Sequence, residues 1–343
     1  MDVKSRFGEI PGLIKESFKE WKDDGALDLG AALSYYTVFS LAPMLLIVIG
    51  VAGVVWGREA VQGQLVGQLQ GLVGPQGGQM IQTMIAHASK PGAGVVATII
   101  GLVTILFGAT GVFVQLQNAL NHIWEVEPKP GGGIWGFVRN RLISFGMILG
   151  VGFLLLVSLV ISAAMGSIDR WAEGLGGAGR VLALILSFAV SFAVISLLFA
   201  LIYKYLPDVK IAWRDVMIGA VVTALLFTVG KFLIGLYVAK TSVASSYGAA
   251  GSLVILLLWV YYSAQIVFLG AEFTQVYASR YGSQIEPADN AVPVVKRKEV
   301  ASKGDWPPAK AKEEEREKEK GAPERPRDDP RNRPRDDRKR AGR

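Results

Sequence analysis

Six apolar runs divide the chain, at about 31–56, 94–116, 142–165, 181–203, 216–238 and 249–271. A membrane-crossing helix needs roughly 20 mostly apolar residues, each rising about 1.5 Å. Each run meets that length, so the pattern predicts six transmembrane helices. Between the first two runs, residues 58–90 are too polar to cross. Val61, Leu65 and Leu69 repeat on one helical face, as do Met80, Ile81, Met84 and Ile85 beyond a Gly-Pro-Gln-Gly-Gly break. This spacing predicts two amphipathic outer helices joined by a turn. Ahead of the first run, Ile10, Leu13, Ile14, Phe18 and Trp21 share a face, with Lys15, Lys19 and Lys22 elsewhere on the surface. That helix either lies on the membrane surface or packs on the cytoplasmic side of the bundle.

The first run is less uniformly apolar than its length suggests. Ser34, Tyr35, Tyr36, Thr37 and Ser40 place hydroxyls in its leading half, and Pro43 falls inside the helix. A proline there frees the carbonyl of Phe39 and predicts a kink. Freed backbone groups at membrane depth need protein or water to satisfy them. The helix therefore reads as one wall of a polar-lined space. The alternative has the tyrosines at headgroup level and the serines bonded to their own helix.

Charge sharpens this picture. Lys, Arg, Asp and Glu crowd into the first 28 residues and the last 60 or so, leaving the middle nearly free of them. The organisation expected is all-α and polytopic. Residues 1–28 form an amphipathic cytoplasmic helix, and 29–283 a six-helix membrane domain. Residues 284–343 form a disordered charged tail, too polar to bury a core. The initial segment mixes acids and bases without an apolar stretch, unlike a cleavable signal peptide. The connections carrying Lys129, Arg139 and Arg141, and Lys204, Lys210 and Arg214, are slightly richer in positive charge than those with Arg58 and Lys90, Arg170 and Arg180, or Lys240. With both basic ends, they place the N- and C-termini in the cytoplasm. Acids alternate with bases through the tail, which weakens its field. Contact with anionic lipid or a cytoplasmic partner is open to it, whereas specific nucleic-acid binding is not expected.

Under that topology the polar residues of the spans gather in the cytoplasmic half. Ser34, Tyr35, Tyr36, Ser40 and Pro43 come from the first span. Gln115 and Asn118 share a face at the end of the second, with His122 beyond them. Tyr262, Gln265 and Glu272 come from the sixth. These are the candidate cavity residues. Glu272 stands at the end of its helix, where the dipole disfavours a carboxylate. Its expected partner is Arg139, Arg141 or Lys204, and it either lines the cavity or locks helix ends together. Lys231 lies in the other half, as a snorkelling side chain or a substrate contact. Tyr247, Gly248 and Gly251, in the small polar connection after it, complete a candidate gate; a plain outer loop is the other reading.

Several chemistries are excluded. The chain contains no cysteine and two histidines, His87 and His122, so no thiolate or histidine metal cluster can be assembled. No Walker-type loop is present. No catalytic, cofactor or metal residue is assigned, and the protein is not expected to be an enzyme.

Four separated blocks occur in order: AALSYYTVFSLAPMLL, LQNALNHIWEV, YKYLPDVKIAWRDVMIGA and LYVAKTSVASSYGAAGSLVILLLWVYYSAQIVFLGAEFTQVYA. They resemble the YihY/BrkB family over roughly Trp21 to Tyr281. This is a group of bacterial inner-membrane proteins once mislabelled as a ribonuclease. The resemblance implies six spans and that membrane, and it transfers no catalytic residue. The function expected is transporter-like handling of a lipid, another amphiphile or a small solute from a cytoplasm-facing cavity. A non-catalytic membrane scaffold is the alternative, and ribonuclease activity is a remote third. Membrane lipids are the expected partners, with a homo-oligomer left open.

Overall fold

The computed structural model describes residues 3–88, 95–129, 146, 150, 176–240, 250–283 and 285–294. The expected third span, most of the Lys240–Ser252 connection and the tail beyond 294 lie outside them. The chain divides into a unit ending at Val295 and a second, Lys296–Arg343, which also lies outside. The first unit contains helices α1 (Val3–Asp23), α2 (Ala26–Trp56), α3 (Arg58–Ala88), α4 (Val95–Ile123), α5 (Gly176–Tyr205), α6 (Trp213–Lys240) and α7 (Gly251–Tyr281). Four short strands accompany them: β1 (Val126–Pro128), β2 (Val209–Lys210), β3 (Glu286–Pro287) and β4 (Ala291–Pro293).

Among the described residues, four helices are long and apolar enough to cross a bilayer: Ala26–Val54, Val181–Tyr205, Trp213–Tyr237 and Gly251–Tyr281. Each coincides with an expected span, and α4 is a 29-residue helix over the expected second. The apolar residues divide into two groups. Leu33, Leu41, Leu45, Phe113, Leu120 and Phe268 are buried in one core. Leu182, Val54 and Phe232 stand exposed. Large aliphatic and aromatic residues on the outside of long apolar helices suit hydrocarbon surroundings, where the backbone bonds only to itself.

Helix α7 is the hub of the fold, packing against α1, α2, α3, α4 and α6. Its contact with α6 is reciprocal. A Cβ at Gly219 of α6 would strike Thr274 of α7, and one at Gly270 of α7 would strike Thr223 of α6. Each threonine hydroxyl donates to the carbonyl four residues back, at Gly270 and Gly219 respectively. The two threonine methyl-and-hydroxyl heads thus nest against bare backbone, a close approach typical of small residues between membrane helices. On the other side of α6 lies α5, and α2 packs against α4. There Gly108 faces Pro43, and α2 continues as one helix through that proline.

Helix α3 breaks where expected, with Gly74 at φ 80°, ψ 173°. That conformation suits a residue without Cβ, and Pro75 begins the following helical segment with a missing N–H that the first turn would leave unbonded anyway. Val61, Leu65, Val73, Ile81 and Ile85 are buried along its inner stripe, against α2 and α7. In α1, Leu13 and Ser17 are buried and Glu16 pairs with Arg280 of α7, while Ile14 and Phe18 remain exposed. One edge of this helix thus packs on the bundle, and the other presents apolar side chains outward.

The sequence pattern ends order at residue 283, and the structure corrects this. Residues 285–294 form two short strands that return to the bundle and pair with earlier parts of the chain rather than with each other. β4 pairs antiparallel with β1, Val126 opposite Pro293, and β3 pairs antiparallel with β2, Val209 opposite Pro287. The fold is thus helical with two small β ladders. Pro-rich, charged composition hid the strands, because their pairing partners are supplied by other parts of the chain.

Candidate functional site

The buried polar groups of the bundle form local hydrogen-bonded knots. Ser34 donates to Gly30 O at 2.8 Å and Thr37 to Leu33 O at 2.7 Å, both within α2. Ser40 accepts from the Val112 N–H at 3.2 Å, tying α2 to α4. Gln265 donates to Ala26 O at 3.3 Å. The Tyr203 hydroxyl lies 3.1 Å from Thr223 Oγ1 and donates to Val267 O at 2.7 Å, joining α5, α6 and α7. Buried polar atoms pair in this way because an unmade bond costs about 1–3 kcal/mol.

The densest knot centres on Asp208, which follows α5. Its Oδ2 accepts from Gln117 at 3.2 Å and Asn121 at 2.9 Å, and its Oδ1 accepts from Asn290 at 2.7 Å. The Asp208 N–H donates to Asn121 Oδ1 at 2.8 Å, and its carbonyl accepts from Ala288 N. Sequence reasoning favoured the Gln115–Asn118 face of α4. Instead, Gln117 and Asn121 are buried, while Asn118 is exposed and Gln115 half-buried. An available signal was the placement of the apolar Leu116, Leu120 and Ile123 beside that pair. Nearby, Asp215 is buried and accepts from both the backbone N–H and hydroxyl of Ser283 at 2.9 Å.

The remaining candidate residues are dispersed. Tyr35 and Tyr36 are 60% and 44% exposed, Tyr35 packing on Phe39 with ring centroids 4.8 Å apart. Tyr262 is half-buried, and Glu272 is buried at 1% exposure. Lys204, an expected partner for Glu272, instead donates to Ile211 O; Arg139 and Arg141 lie outside the described residues. Gly251 is buried in the first turn of α7. Tyr247 and Gly248 lie outside the described residues.

A cavity of about 310 Å³ opens between α5 and α6. Leu184, Phe188, Phe192 and Ile195 supply its apolar wall, Phe188 and Phe192 being stacked. Ser187, Ser191, Thr228 and Lys231 supply its polar groups. The α5 residues follow helical spacing, so a single face of that helix lines the space. Lys231 thereby sits in a cavity with hydroxyl neighbours, a grouping its isolated position in the sequence did not reveal.

Among the described residues, no group of three or more His, Cys, Asp or Glu side chains could hold a metal. His87 and His122 end different helices, α3 and α4.

Long apolar helices with outward-facing aliphatic side chains, packed around a core with buried hydrogen-bonded polar knots, define a multi-pass integral membrane protein. The family described as Virulence factor BrkB matches residues 17–294, and the chain belongs to it. Similar curated proteins include UPF0761 membrane proteins of three bacteria. That of Psychrobacter sp. (strain PRwf-1) is 28% identical over 269 residues, 78% of this chain and 48% of that protein. That of Ralstonia nicotianae is 28% identical over 265 residues, covering 77% and 58%. That of Pseudomonas aeruginosa (strain LESB58) is 29% identical over 252 residues, covering 72% and 58%. The chain thus spans about half the length of the curated relatives it matches. No solved structure matches it.

Proposed function

We propose that this protein is transporter-like and handles an amphiphile within a bacterial inner membrane, with both termini in the cytoplasm. The observation that carries the reading is the cavity between α5 and α6, which combines an apolar wall with a lysine and three hydroxyls. A small solute calls for a sealed polar pocket, whereas an amphiphile needs apolar and polar surface side by side and an opening toward the bilayer. The hydrogen-bonded knots around Tyr203 and Asp208 fit a role as fixed scaffold around which the cavity is held. No catalytic step is assigned.

The experiment is reconstitution in liposomes, with fluorescent phospholipid scrambling and solute uptake measured on the same vesicles. Scrambling above protein-free vesicles supports the amphiphile reading. Uptake alone turns it to a solute, and movement of neither overturns both. A second reading, a non-catalytic membrane scaffold, draws on the same knots, since a core that spends its polar groups on itself needs no substrate. It expects truncation after Val294 to abolish function while substitutions in the cavity are silent. The transporter reading expects the reverse.

A further inference from the structure

Lys231 is the cation of the cavity. It makes no ion pair or hydrogen bond among the described residues. The described part of α5 ahead of Lys204 carries no acid, and the acid of α6, Asp215, stands 16 residues away, about 24 Å along the helix. Lys231 is also set well into its span, six residues from Tyr237, or about 9 Å. Ser187 lies the same distance inside the other helix, six residues from Val181, so the antiparallel pair brings lysine and serine to one depth.

The hydroxyls divide into two kinds. Ser17, Ser34 and Ser196 each donate to the carbonyl four residues back, the usual way a helix satisfies a serine. Thr228 does so too, donating to Ala224 O at 2.7 Å. Among the described residues Ser187 and Ser191 make no such bond, and both line the cavity. An ammonium and two hydroxyl donors, with no acid near them on the described parts of α5 and α6, suit an anion having several acceptor oxygens. Such a charge in a span calls for a counter-charge. The volume is at the lower end for a ligand site, the scale of a headgroup rather than a whole lipid. Leu184, Leu186 and Phe232 leave the neighbouring surface apolar and exposed.

We propose that Lys231, Ser187 and Ser191 form a phosphate-binding site that takes the headgroup phosphate of a phospholipid entering sideways between α5 and α6, its acyl chains remaining in the bilayer. This rests on the amphiphile reading above and specifies its substrate class.

The test is native mass spectrometry of the detergent-purified full chain with phosphatidylglycerol, diacylglycerol of matched chains, and inorganic phosphate. Phosphatidylglycerol should be retained roughly tenfold over diacylglycerol, the worth of about one charge-assisted hydrogen bond. Lys231→Gln should erase the difference and Lys231→Arg should keep it, with thermal unfolding reporting that each variant is folded. Ser187→Ala combined with Ser191→Ala should reduce retention severalfold. Equal retention of the two lipids by the unmodified protein overturns the proposal, as does a Lys231→Gln variant that behaves like it. Loss in Lys231→Gln with no effect of the serine pair also overturns it, because a lysine reaching bulk headgroups needs no serines. Displacement of lipid by inorganic phosphate keeps the phosphate site and makes its source a solute. Lipid retention without scrambling or uptake in liposomes leaves this site standing while the transport reading fails. Scrambling without phosphate-dependent retention does the opposite.

Discussion

Asp208 is the most heavily bonded side chain described, and its removal should show it. Asp208→Ala leaves Gln117, Asn121 and Asn290 without their shared acceptor. Leaving such donors unsatisfied costs about 1–3 kcal/mol apiece, so the variant should lose about 3 kcal/mol or more, seen as a lower thermal midpoint in detergent. The exposed pair Lys210–Asp289, which joins β2 to the turn between β3 and β4, should behave differently. The hydrogen bond from Lys210, then its charge, holds the Asp289 carboxyl below the usual carboxylate range; the same bond and charge hold Lys210 above the usual lysine range. A lowered carboxyl contributes above its unfolded pKa and loses that contribution as pH falls through the folded value. A raised ammonium contributes below its unfolded pKa and loses it as pH rises through the folded value. Protection of the 285–294 amides from hydrogen exchange should therefore be flat across neutral pH and weaken only in acid or strong alkali. Salt should diminish the effect, since both groups face water. Loss of protection near neutrality would contradict this assignment. Neither interaction could be read from the sequence: Asp208 and Asn121 stand 87 residues apart, and only the folded chain brings them together.

At the level of elements, the interlock of α6 and α7 carries its own prediction. Gly270→Ala should destabilise the bundle by about 1–3 kcal/mol, the cost of an extra methyl in a packed core. Adding Thr223→Ala should recover part of that loss, because it removes the hydroxyl nearest the new methyl, while the Cβ of residue 223 and the Tyr203 hydroxyl, each 2.8 Å from it, stay and keep the rest of the cost. A coupling of at least about 0.5 kcal/mol in the double-mutant cycle is expected; strict additivity would show that the two residues do not share the contact. Helix positions were readable in advance because hydropathy over a bilayer-length window is a local property. The break at Gly74 was equally readable, since Gly-Pro-Gln-Gly-Gly acts on its own backbone. Which face of α4 turns inward was legible only through Leu116, Leu120 and Ile123 beside Gln117 and Asn121, since Gln115 and Gln117 are themselves chemically alike. The two last described strands were hidden because β3 and β4 need β2 and β1, far away in sequence, as templates.

At the scale of the molecule, the proposed topology can be tested directly because the chain has no native cysteine. Single cysteines replacing Lys129 or Glu286, both exposed, should react with a membrane-impermeant maleimide only after cells are permeabilised. Labelling of intact cells would place that surface outside and reverse the orientation. The spans and the hub role of α7 together support the cavity between α5 and α6. α5 rests on α6, α6 interlocks with α7, and α7 is braced by the rest of the bundle.

The pairing of β3 and β4 with earlier strands also sets an order of events during synthesis. Lys129 meets the carbonyl of Asp289 across 160 residues of chain, and β1 waits for β4 across a similar span. Contacts so distant in sequence form late. Until the final strand leaves the ribosome, the ends of α4 and α5 have no edge to pair with, and the carboxylate of Asp208 lacks Asn290 as its third side-chain donor. A nascent chain stopped before residue 285 would already be threaded through the membrane yet lack its clasp, exposed to quality-control proteases at the edges that β3 and β4 later cover.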